Sequence, residues 1–406
     1  MVRVPVKPEL IQWAIERSKR DPADLAARFD RLVEWQTGQA QPTLGQLENF
    51  AAATRTPVGY FFLPVPPAEP LPIPDFRTVG SVQVSRPSPD LLDTIYLCQQ
   101  RQDWYRTNAL VLRDDPVAFV GTATTKSEHV ATATSIRAAI GFNLSSRAQA
   151  STFEDALRMM TRAADEAGVL VMTSGIVGTN THRPLDTREF RGFALSDDYA
   201  PLVFINGTDT KSGQMFTLAH ELAHLWLGQS ALTDSTAATV ARDGGVSKPV
   251  TAEVSSVERW CNAVAAEVLV PMESFKQVYR PKAELRAEKQ RLSNHYKVST
   301  LVVLRRMYDA GGLSREVFWT VYQAEADLLR KVMAEKKAKA KKGGDPYATG
   351  RVRVSPRFAR AVLSATWEGR STFTEAFRML GFKSVKKLET FGDELGMGNY
   401  LRQGAV

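Results

Sequence analysis

The stretch FTLAHELAHLWLG, residues 216–228, decides the fold of the central part of this chain. His220 and His224 are four residues apart, so on an α-helix their side chains project from the same face, one turn apart. Two imidazoles placed in this way can bind one Zn²⁺ at about 2.0–2.1 Å each. Glu221 directly follows the first histidine, where it can act as a general base toward water activated by the metal, in the H-E-x-x-H arrangement.

Apolar residues around the two histidines indicate that their helix is buried. Leu218, Leu222, Leu225 and Leu227 make this helix apolar, and Gly228 is a typical residue to end it. Two histidines and a glutamate on a buried helix need polar partners, which a bound metal supplies. We therefore predict a zinc site here rather than histidines that are merely satisfied within a core.

A third protein ligand must come from further along the chain, because catalytic zinc normally takes three protein ligands and a water. The stretch VERWCNAVAAEVLVP, residues 257–271, reads as a helix that ends at a proline. Small residues on the face that carries Glu258 would allow this helix to pack closely against the first. Spacing favours Glu258 without excluding other ligands, and it favours a role for Cys261 as a small buried apolar residue. The candidates are Glu253, Glu258, Cys261, Glu267 and His295.

Together, these two helices resemble the ImmA/IrrE family of bacterial and phage metallopeptidases. The second helix of that family has the pattern E-x-x-x-N-x-F-A-A-x-L-L-M-P, and Val264 stands where the family usually has phenylalanine. The matching positions are Glu258, Asn262, Ala265, Ala266, Leu269 and Pro271. The resemblance implies that His220, His224 and Glu258 bind zinc and that Glu221 is the catalytic base. It also implies a zincin-like domain whose small sheet, within residues 168–206, packs on the helix of the H-E-x-x-H motif.

The predicted fold class is α+β and mostly helical, with several parts in sequence. Short helices with tight connections at the start are typical of a helix-turn-helix bundle, and they resemble the Cro/repressor (XRE)-type domain often fused to this peptidase. The predicted parts are a bundle over 1–63, a proline-rich linker over 64–76, a metallopeptidase domain with a helical extension over 77–333, a basic and glycine-containing linker over 334–350, and a small C-terminal helical domain over 351–406.

The function of the N-terminal bundle stays open between DNA binding and protein docking. A recognition helix normally brings positive charge to the DNA phosphates. The predicted third helix, within residues 30–39, holds Asp30 and Glu34 against a single Arg31. The bundle is therefore also interpreted as a dimerisation or partner-docking module, and the sequence leaves open whether the chain forms a homodimer.

Composition and patterning predict a cytoplasmic protein without a membrane segment. No apolar core follows the charges of the first residues, so we expect no secretory signal. No apolar run reaches the roughly 18 residues of a membrane-spanning helix. The two cysteines, Cys98 and Cys261, cannot build a disulfide framework. The net charge of +8 includes a lysine-rich run within 331–342, which is interpreted as a solvated helix end that leads into the second linker.

Three functional hypotheses follow from these features. The leading one is a zinc endopeptidase that cleaves a specific protein, which the resemblance implies is a transcriptional repressor. The main rival is an antitoxin-like or transcriptional regulatory protein that uses the zincin fold as a platform for a partner such as a cognate toxin. The third is a DNA-binding factor with a vestigial site, and it is disfavoured because all four expected active-site residues are present.

Overall fold

The structure is a computed structural model, and it describes residues 3–75, 86–233, 252–339 and 353–398. Within these ranges the chain is mostly helical and carries one four-stranded sheet, which confirms the predicted α+β fold class. The chain divides into two compact units: the first is Met1–Pro72 with Gln83–Tyr96, and the second is Ile73–Val82 with Leu97–Val406. Among the described residues, no helix is both long and apolar enough to span a membrane.

Four short helices build the first unit: α1 (Pro8–Ser18), α2 (Pro22–Arg28), α3 (Leu32–Thr37) and α4 (Leu44–Thr54). Asp21 caps α2 by accepting a hydrogen bond from the Ala23 amide at 2.9 Å. Thr43 and Gln46 form a capping box at the start of α4. These helices lie where the sequence predicts them, and their assignment as a helix-turn-helix domain stays a prediction.

Aromatic rings fill the centre of the first unit. The ring of Phe50 meets those of Phe29 and Trp35 edge-on, with centroids 5.5 and 6.1 Å apart. The proline-rich stretch that follows carries no helix as far as the described residues reach. Arg17 of α1 binds Glu69 of this stretch through two hydrogen bonds of 2.5 and 2.8 Å. The proline-rich stretch is thus tied to the bundle.

Thirteen α-helices besides α1–α4, and one short 3₁₀ helix (Val58–Phe62), lie in the described ranges. The first of the thirteen starts in the first unit and continues into the second. They are α5 (Pro89–Leu112), α6 (His129–Ile140), α7 (Leu144–Ala148), α8 (Phe153–Glu166), α9 (Lys211–Trp226), α10 (Ala252–Leu269), α11 (Met272–Val278), α12 (Leu285–Tyr296), α13 (Thr300–Asp309), α14 (Arg315–Lys339), α15 (Pro356–Trp367), α16 (Phe373–Leu380) and α17 (Val385–Glu394). The strands are β1 (Leu170–Ser174), β2 (Gly192–Leu195), β3 (Leu202–Asn206) and β4 (Ala231–Thr233).

The sheet has the strand order β1–β3–β2–β4. β1 pairs with β3 in parallel, and β2 pairs with both β3 and β4 in the antiparallel sense. Every residue of the four strands is buried, so the strands are mostly apolar and show no alternation of apolar and polar residues. A small sheet was predicted within residues 168–206, where β1, β2 and β3 lie, whereas β4 was not predicted, because three residues are too few to show a pattern.

Helix α9 lies in the core of the second unit, where it packs against β2, β3, α8 and α10. All residues from Gln214 to Trp226 are buried, as the apolar sequence of this helix predicts. Trp226 stacks on Phe119 with ring centroids 4.1 Å apart. The helix is therefore held on all sides, and its side chains can be positioned within narrow limits.

Among the last three helices of the second unit, α15 packs on α8 and α5, α16 contacts α5, and α17 packs on α15. Asp165, near the end of α8, accepts hydrogen bonds from the Ser355 hydroxyl and, at 3.0 Å, from the Arg357 amide. Arg101 of α5 donates to the carbonyl of Met379 at 3.0 Å. Helix α14 continues to Lys339, so the first residues of the predicted linker over 334–350 are helical, and residues 340–350 lie outside the described ranges. The predicted domain boundaries stay predictions.

Candidate metal centre

Helix α9 places His220, Glu221 and His224 together in the interior. Thr210 caps the helix by accepting a hydrogen bond from the Gly213 amide at 3.0 Å. All three functional side chains are 0% exposed. The Nε2 atoms of the two histidines lie 3.1 Å apart, so both imidazoles face the same point, as their spacing predicts.

Helix α10 brings a carboxylate to the same point. Oε2 of Glu258 lies 3.4 Å from Nε2 of His220, and its Oε1 lies 3.2 Å from Nε2 of His224. One ligand atom from each of these three residues lies within 4.8 Å of the others. On α10, Cys261 and Ala265 follow Glu258 at helical spacing and are completely buried. Their small side chains let the two helices approach closely.

The separations within this cluster fit a tetrahedral metal ion. Two ligand atoms about 2.0–2.1 Å from one zinc ion, at a tetrahedral angle, are roughly 3.3 Å apart. The nitrogen–nitrogen and nitrogen–oxygen distances of 3.1, 3.2 and 3.4 Å bracket that value. Two imidazoles and a carboxylate are also a donor set that zinc prefers. The residues present therefore fit a zinc ion.

Other candidate ligands have different surroundings. Glu267 accepts a hydrogen bond from Arg306 at 2.7 Å and another from the Met272 amide at 3.0 Å. Cys261 is buried next to the cluster, and burial, together with the carboxylates of Glu258 and Glu221, raises its pKa well above the ordinary value. His295 is exposed on α12, and the side chain of Glu253 lies outside the described part of the chain. Among the described candidates, Glu258 alone joins the histidines.

Charge in the cluster is arranged so that the carboxylate stays ionised. Burial opposes ionisation of Glu258, but the two imidazoles hold the pKa of this carboxyl well below its usual range. Burial opposes protonation of His220, yet Glu258 and Glu221 raise the pKa of this imidazole above its ordinary value. Burial lowers the pKa of His224. A positive ion between these groups would keep both imidazoles neutral and satisfy the carboxylate.

Asn262 supports the first histidine from behind. Its Oδ1 lies 3.1 Å from Nδ1 of His220, and its side chain is 4% exposed. With Oδ1 as the acceptor, Nδ1 carries the proton and the lone pair of Nε2 faces the cluster. Groups that fix the tautomer and orientation of a metal-binding histidine in this way raise its affinity for the metal. The sequence pattern identified Asn262 as a family match, but it did not predict this contact.

Glu221 lies in the same interior and has a partner that the sequence did not predict. The hydroxyl of Thr233 on β4 donates a hydrogen bond to Oε1 of Glu221. Within the described residues, Oε2 of Glu221 is buried and has no hydrogen-bond partner. Burial raises the pKa of Glu221 to about 8. One carboxylate oxygen is thus held by the protein, and the other is available to a ligand.

Gly192 of β2 permits the close approach of the sheet to α9. A Cβ atom at this position would lie 2.5 Å from Cγ2 of Thr217 and 2.7 Å from the carbonyl oxygen of Phe204. It would also lie 3.3 Å from Oε1 of Glu221. The available space therefore requires glycine here. This requirement could not be predicted, because the contact joins elements that are distant in the chain.

A developing oxyanion needs a hydrogen-bond donor besides the metal, and the candidates for that role in this unit have other partners or are at least partly exposed. They are His182, Arg191, Tyr199, His295 and Tyr296. Arg191 forms an ion pair with Asp209, just before α9. The hydroxyl of Tyr296 lies 2.8 Å from Oγ of Ser274. His182 is exposed, and Tyr199 is half-buried. The structure does not bring any of these five residues into the His–His–Glu cluster.

A buried His–His–Glu cluster with a second buried glutamate beside its first histidine is the arrangement typical of the H-E-x-x-H metallopeptidases. In agreement, residues 164–308 match the family model described as the IrrE N-terminal-like domain, Peptidase M78. The match runs from the end of α8 into α13 and includes both helices of the cluster, and it supports the predicted resemblance for this part of the chain.

Residues 354–394, which include α15, α16 and α17, match a domain of unknown function, DUF8813. No curated protein and no solved structure matches the chain. Neither of the two family matches includes the N-terminal bundle.

Proposed function

We propose that this protein is a zinc-dependent endopeptidase that cleaves a specific regulatory protein. The proposal rests on one observation above all: two imidazoles and a carboxylate converge beside a buried glutamate, one oxygen of which has no hydrogen-bond partner in the described part of the chain. The match of residues 164–308 to a peptidase family supports a metallopeptidase-like role. Zinc itself, the roles of the individual residues and the cytoplasmic location stay predictions.

In this mechanism His220, His224 and Glu258 would hold the zinc ion. When bound there, zinc would activate a water molecule and polarise the peptide carbonyl. Glu221 would take the proton of the attacking water on Oε2, because Thr233 holds Oε1. As the new carbon–oxygen bond forms and the carbon–nitrogen bond breaks, Glu221 would return the proton to the leaving amine nitrogen.

Burial suits Glu221 to this cycle of proton transfer. A carboxylate in water is a weak base, but burial raises the pKa of Glu221 to about 8 in the protein alone. A buried carboxylate is therefore a stronger base than one in water, and its protonated form can return the proton. The apolar core around α9 also keeps bulk water away from the transfer.

The proposal is tested with zinc content and cleavage measured on the same set of proteins. We expect about one zinc per chain in the purified protein, the stoichiometry of a single three-ligand site, and a sharp loss of zinc in Glu258→Ala. Glu221→Gln keeps the ligands and should retain zinc.

Cleavage is measured in cells that produce either the wild type or Glu221→Gln, by mass spectrometry of newly formed protein N-termini. New N-termini that depend on Glu221 would identify the substrate. Two outcomes would contradict the proposed peptidase function. In the first, the wild type binds no zinc even when zinc is supplied. In the second, cells with the wild type show the same protein N-termini as cells with Glu221→Gln.

A second function, a platform that holds a protein partner such as a repressor or a cognate toxin, is favoured by the first unit. Residues 1–72 contain eight basic and eight acidic residues, so this part of the chain has no net positive charge. Arg31 of α3 pairs with Glu34 on the same helix. Val33 between them is 64% exposed, which suits contact with a protein better than contact with phosphates. The two functions are separated by Glu221→Gln, which abolishes the first and leaves the second intact.

A further inference from the structure

The outer edge of β4 is occupied by a piece of the same chain. β4 is the last strand of the sheet and pairs with β2 along one side. On its other side, the Leu232 amide donates a hydrogen bond to the carbonyl of Pro74 at 2.9 Å. Asp75 forms a parallel bridge with the same leucine. We call residues 73–75 the strap.

The strap lies close to the catalytic base along the backbone of β4. Thr233, which donates to Glu221, is the residue that follows Leu232. Successive residues of a strand are about 3.3 Å apart along its axis. Any backbone that pairs with Leu232 therefore runs within about one residue of the group that holds the base.

An exposed strand edge is also the place where an extended peptide can add to a sheet. The backbone groups along such an edge supply hydrogen bonds to any peptide sequence. Among the described residues, the hydrogen bond of the Leu232 amide goes to Pro74 and to no second carbonyl. A peptide that uses this amide must first displace the strap.

The chain before the strap favours an extended conformation in advance. Six prolines lie between residues 64 and 74, and proline-rich segments adopt an extended left-handed helix with little conformational entropy to lose. Pro74 has no amide hydrogen, so it can pair through its carbonyl alone. Ile73 anchors the strap, because its side chain is 6% exposed while Pro72 before it is exposed.

We propose that the strap is an intramolecular competitor for the peptide-binding edge of the peptidase. A substrate backbone pairs with Leu232 after residues 73–75 leave it, and the enzyme with the strap in place is self-inhibited. This inference rests on the proposed peptidase function for its consequence in catalysis, but the displacement of the strap can be measured without catalysis.

The test compares full-length, zinc-loaded variants. Ile73→Asp places a charge at the buried anchor, and Ile73→Ala removes apolar contacts there without adding charge. The matched control Pro72→Asp adds the same charge at the exposed neighbouring position. Hydrogen exchange of the Leu232 amide reports the position of the strap. Binding of a fluorescein-labelled pool of random decapeptides, measured in the Glu221→Gln background, reports access to the edge without turnover.

We expect Ile73→Asp to raise both the exchange of Leu232 and the affinity for the peptide pool by about tenfold, the factor that corresponds to one hydrogen bond's net contribution. Ile73→Ala should raise both by a smaller factor, and Pro72→Asp should leave both unchanged. Faster exchange at Leu232 without tighter peptide binding overturns the proposal. The proposal is also overturned if, in both Ile73 variants, peptide binding is unchanged and the Leu232 amide is still protected from hydrogen exchange.

Cleavage of the same peptide pool distinguishes this inference from the proposed function. If the Ile73 variants with Glu221 intact cleave the pool faster than the wild type, both ideas are supported. Peptide binding could also rise in the Ile73 variants while neither the wild type nor the variants cleave the pool or a cellular protein. In that case the proposed role of the strap is supported and the proposed peptidase function is wrong. If the wild type cleaves the pool as fast as the Ile73 variants do, the proposed peptidase function is supported and the strap does not inhibit it.

Discussion

The two units of this protein differ in the ionisable side chains that they bury. In the second unit, α9 and α10 bury His220, Glu221, His224 and Glu258, none of them more than 3% exposed. In the described part of the first unit, the buried charged residue is Arg17, and Glu69 neutralises it. Buried ionisable groups cost free energy unless a partner or a metal compensates them. The second unit thus contains a cluster of buried ionisable groups that stability alone does not favour, and this supports the proposed function of that cluster.

In the first unit, the net charge gives information on function that the arrangement of helices does not. Its four short helices were predicted as a helix-turn-helix bundle, an assignment that stays a prediction, and residues 1–72 carry no net charge. The whole of the net charge of +8 therefore lies in the rest of the chain. Even if the predicted helix-turn-helix fold is correct, DNA binding would depend on the groups at the surface and not on the fold alone.

The largest effect on stability that we predict comes from replacing a glycine by alanine, and one glycine from each unit is compared. Gly192→Ala should destabilise the second unit by about 1–3 kcal/mol, because the added Cβ overlaps Thr217 and a backbone carbonyl. Gly45→Ala in α4 meets no atom within 4 Å and should stabilise the first unit by about 0.5–1 kcal/mol. Hydrogen exchange against urea concentration, followed separately for β3 and α4, measures both changes. Equal effects at the two glycines would contradict the packing described for β2.

A smaller effect is expected from the support behind His220. Asn262→Leu removes the acceptor at Nδ1, so the imidazole is less well oriented, and zinc affinity should fall by about 10–100-fold. Asn294→Leu on α12 is the matched control, because Asn294 is exposed and bonded to Gln290. Zinc affinity is measured by competition with a chelator. If both variants bind zinc as the wild type does, the Asn262 contact does not orient the histidine.

Thr233→Val tests how the base is held, with an expected effect of about tenfold on kcat. Valine has nearly the shape of threonine but cannot donate to Glu221, so Oε1 of the carboxylate loses its partner. Zinc content and KM should be unchanged, and Thr233→Ser should restore kcat because it keeps the hydroxyl. A loss in Thr233→Ser as large as in Thr233→Val would instead indicate that the methyl group of Thr233 matters through packing.

The sequence predicted the parts of the centre that lie on single helices. His220, Glu221 and His224 are set by spacing on α9, and Glu258 required only a second helix with a recognisable pattern. Thr233 could not be predicted, because it lies on a three-residue strand and acquires its role from contact with a helix that precedes it in the chain. The strap was predicted only as an extended linker, since proline content indicates conformation but not the partner of a backbone carbonyl.

The smallest effect should come from the third helix of the first unit. Arg31 and Glu34 are each about 40% exposed, and an exposed pair of this kind contributes roughly 0–0.5 kcal/mol. Arg31→Ala should therefore leave the unfolding of α3 nearly unchanged. It should also leave binding to a random 20-base-pair duplex unchanged, because the pair brings no net charge to phosphates. Fluorescence anisotropy with labelled duplex, at two salt concentrations, measures this. A clear loss of salt-dependent affinity in Arg31→Ala would make α3 a recognition helix and would remove the main contrast between the two units.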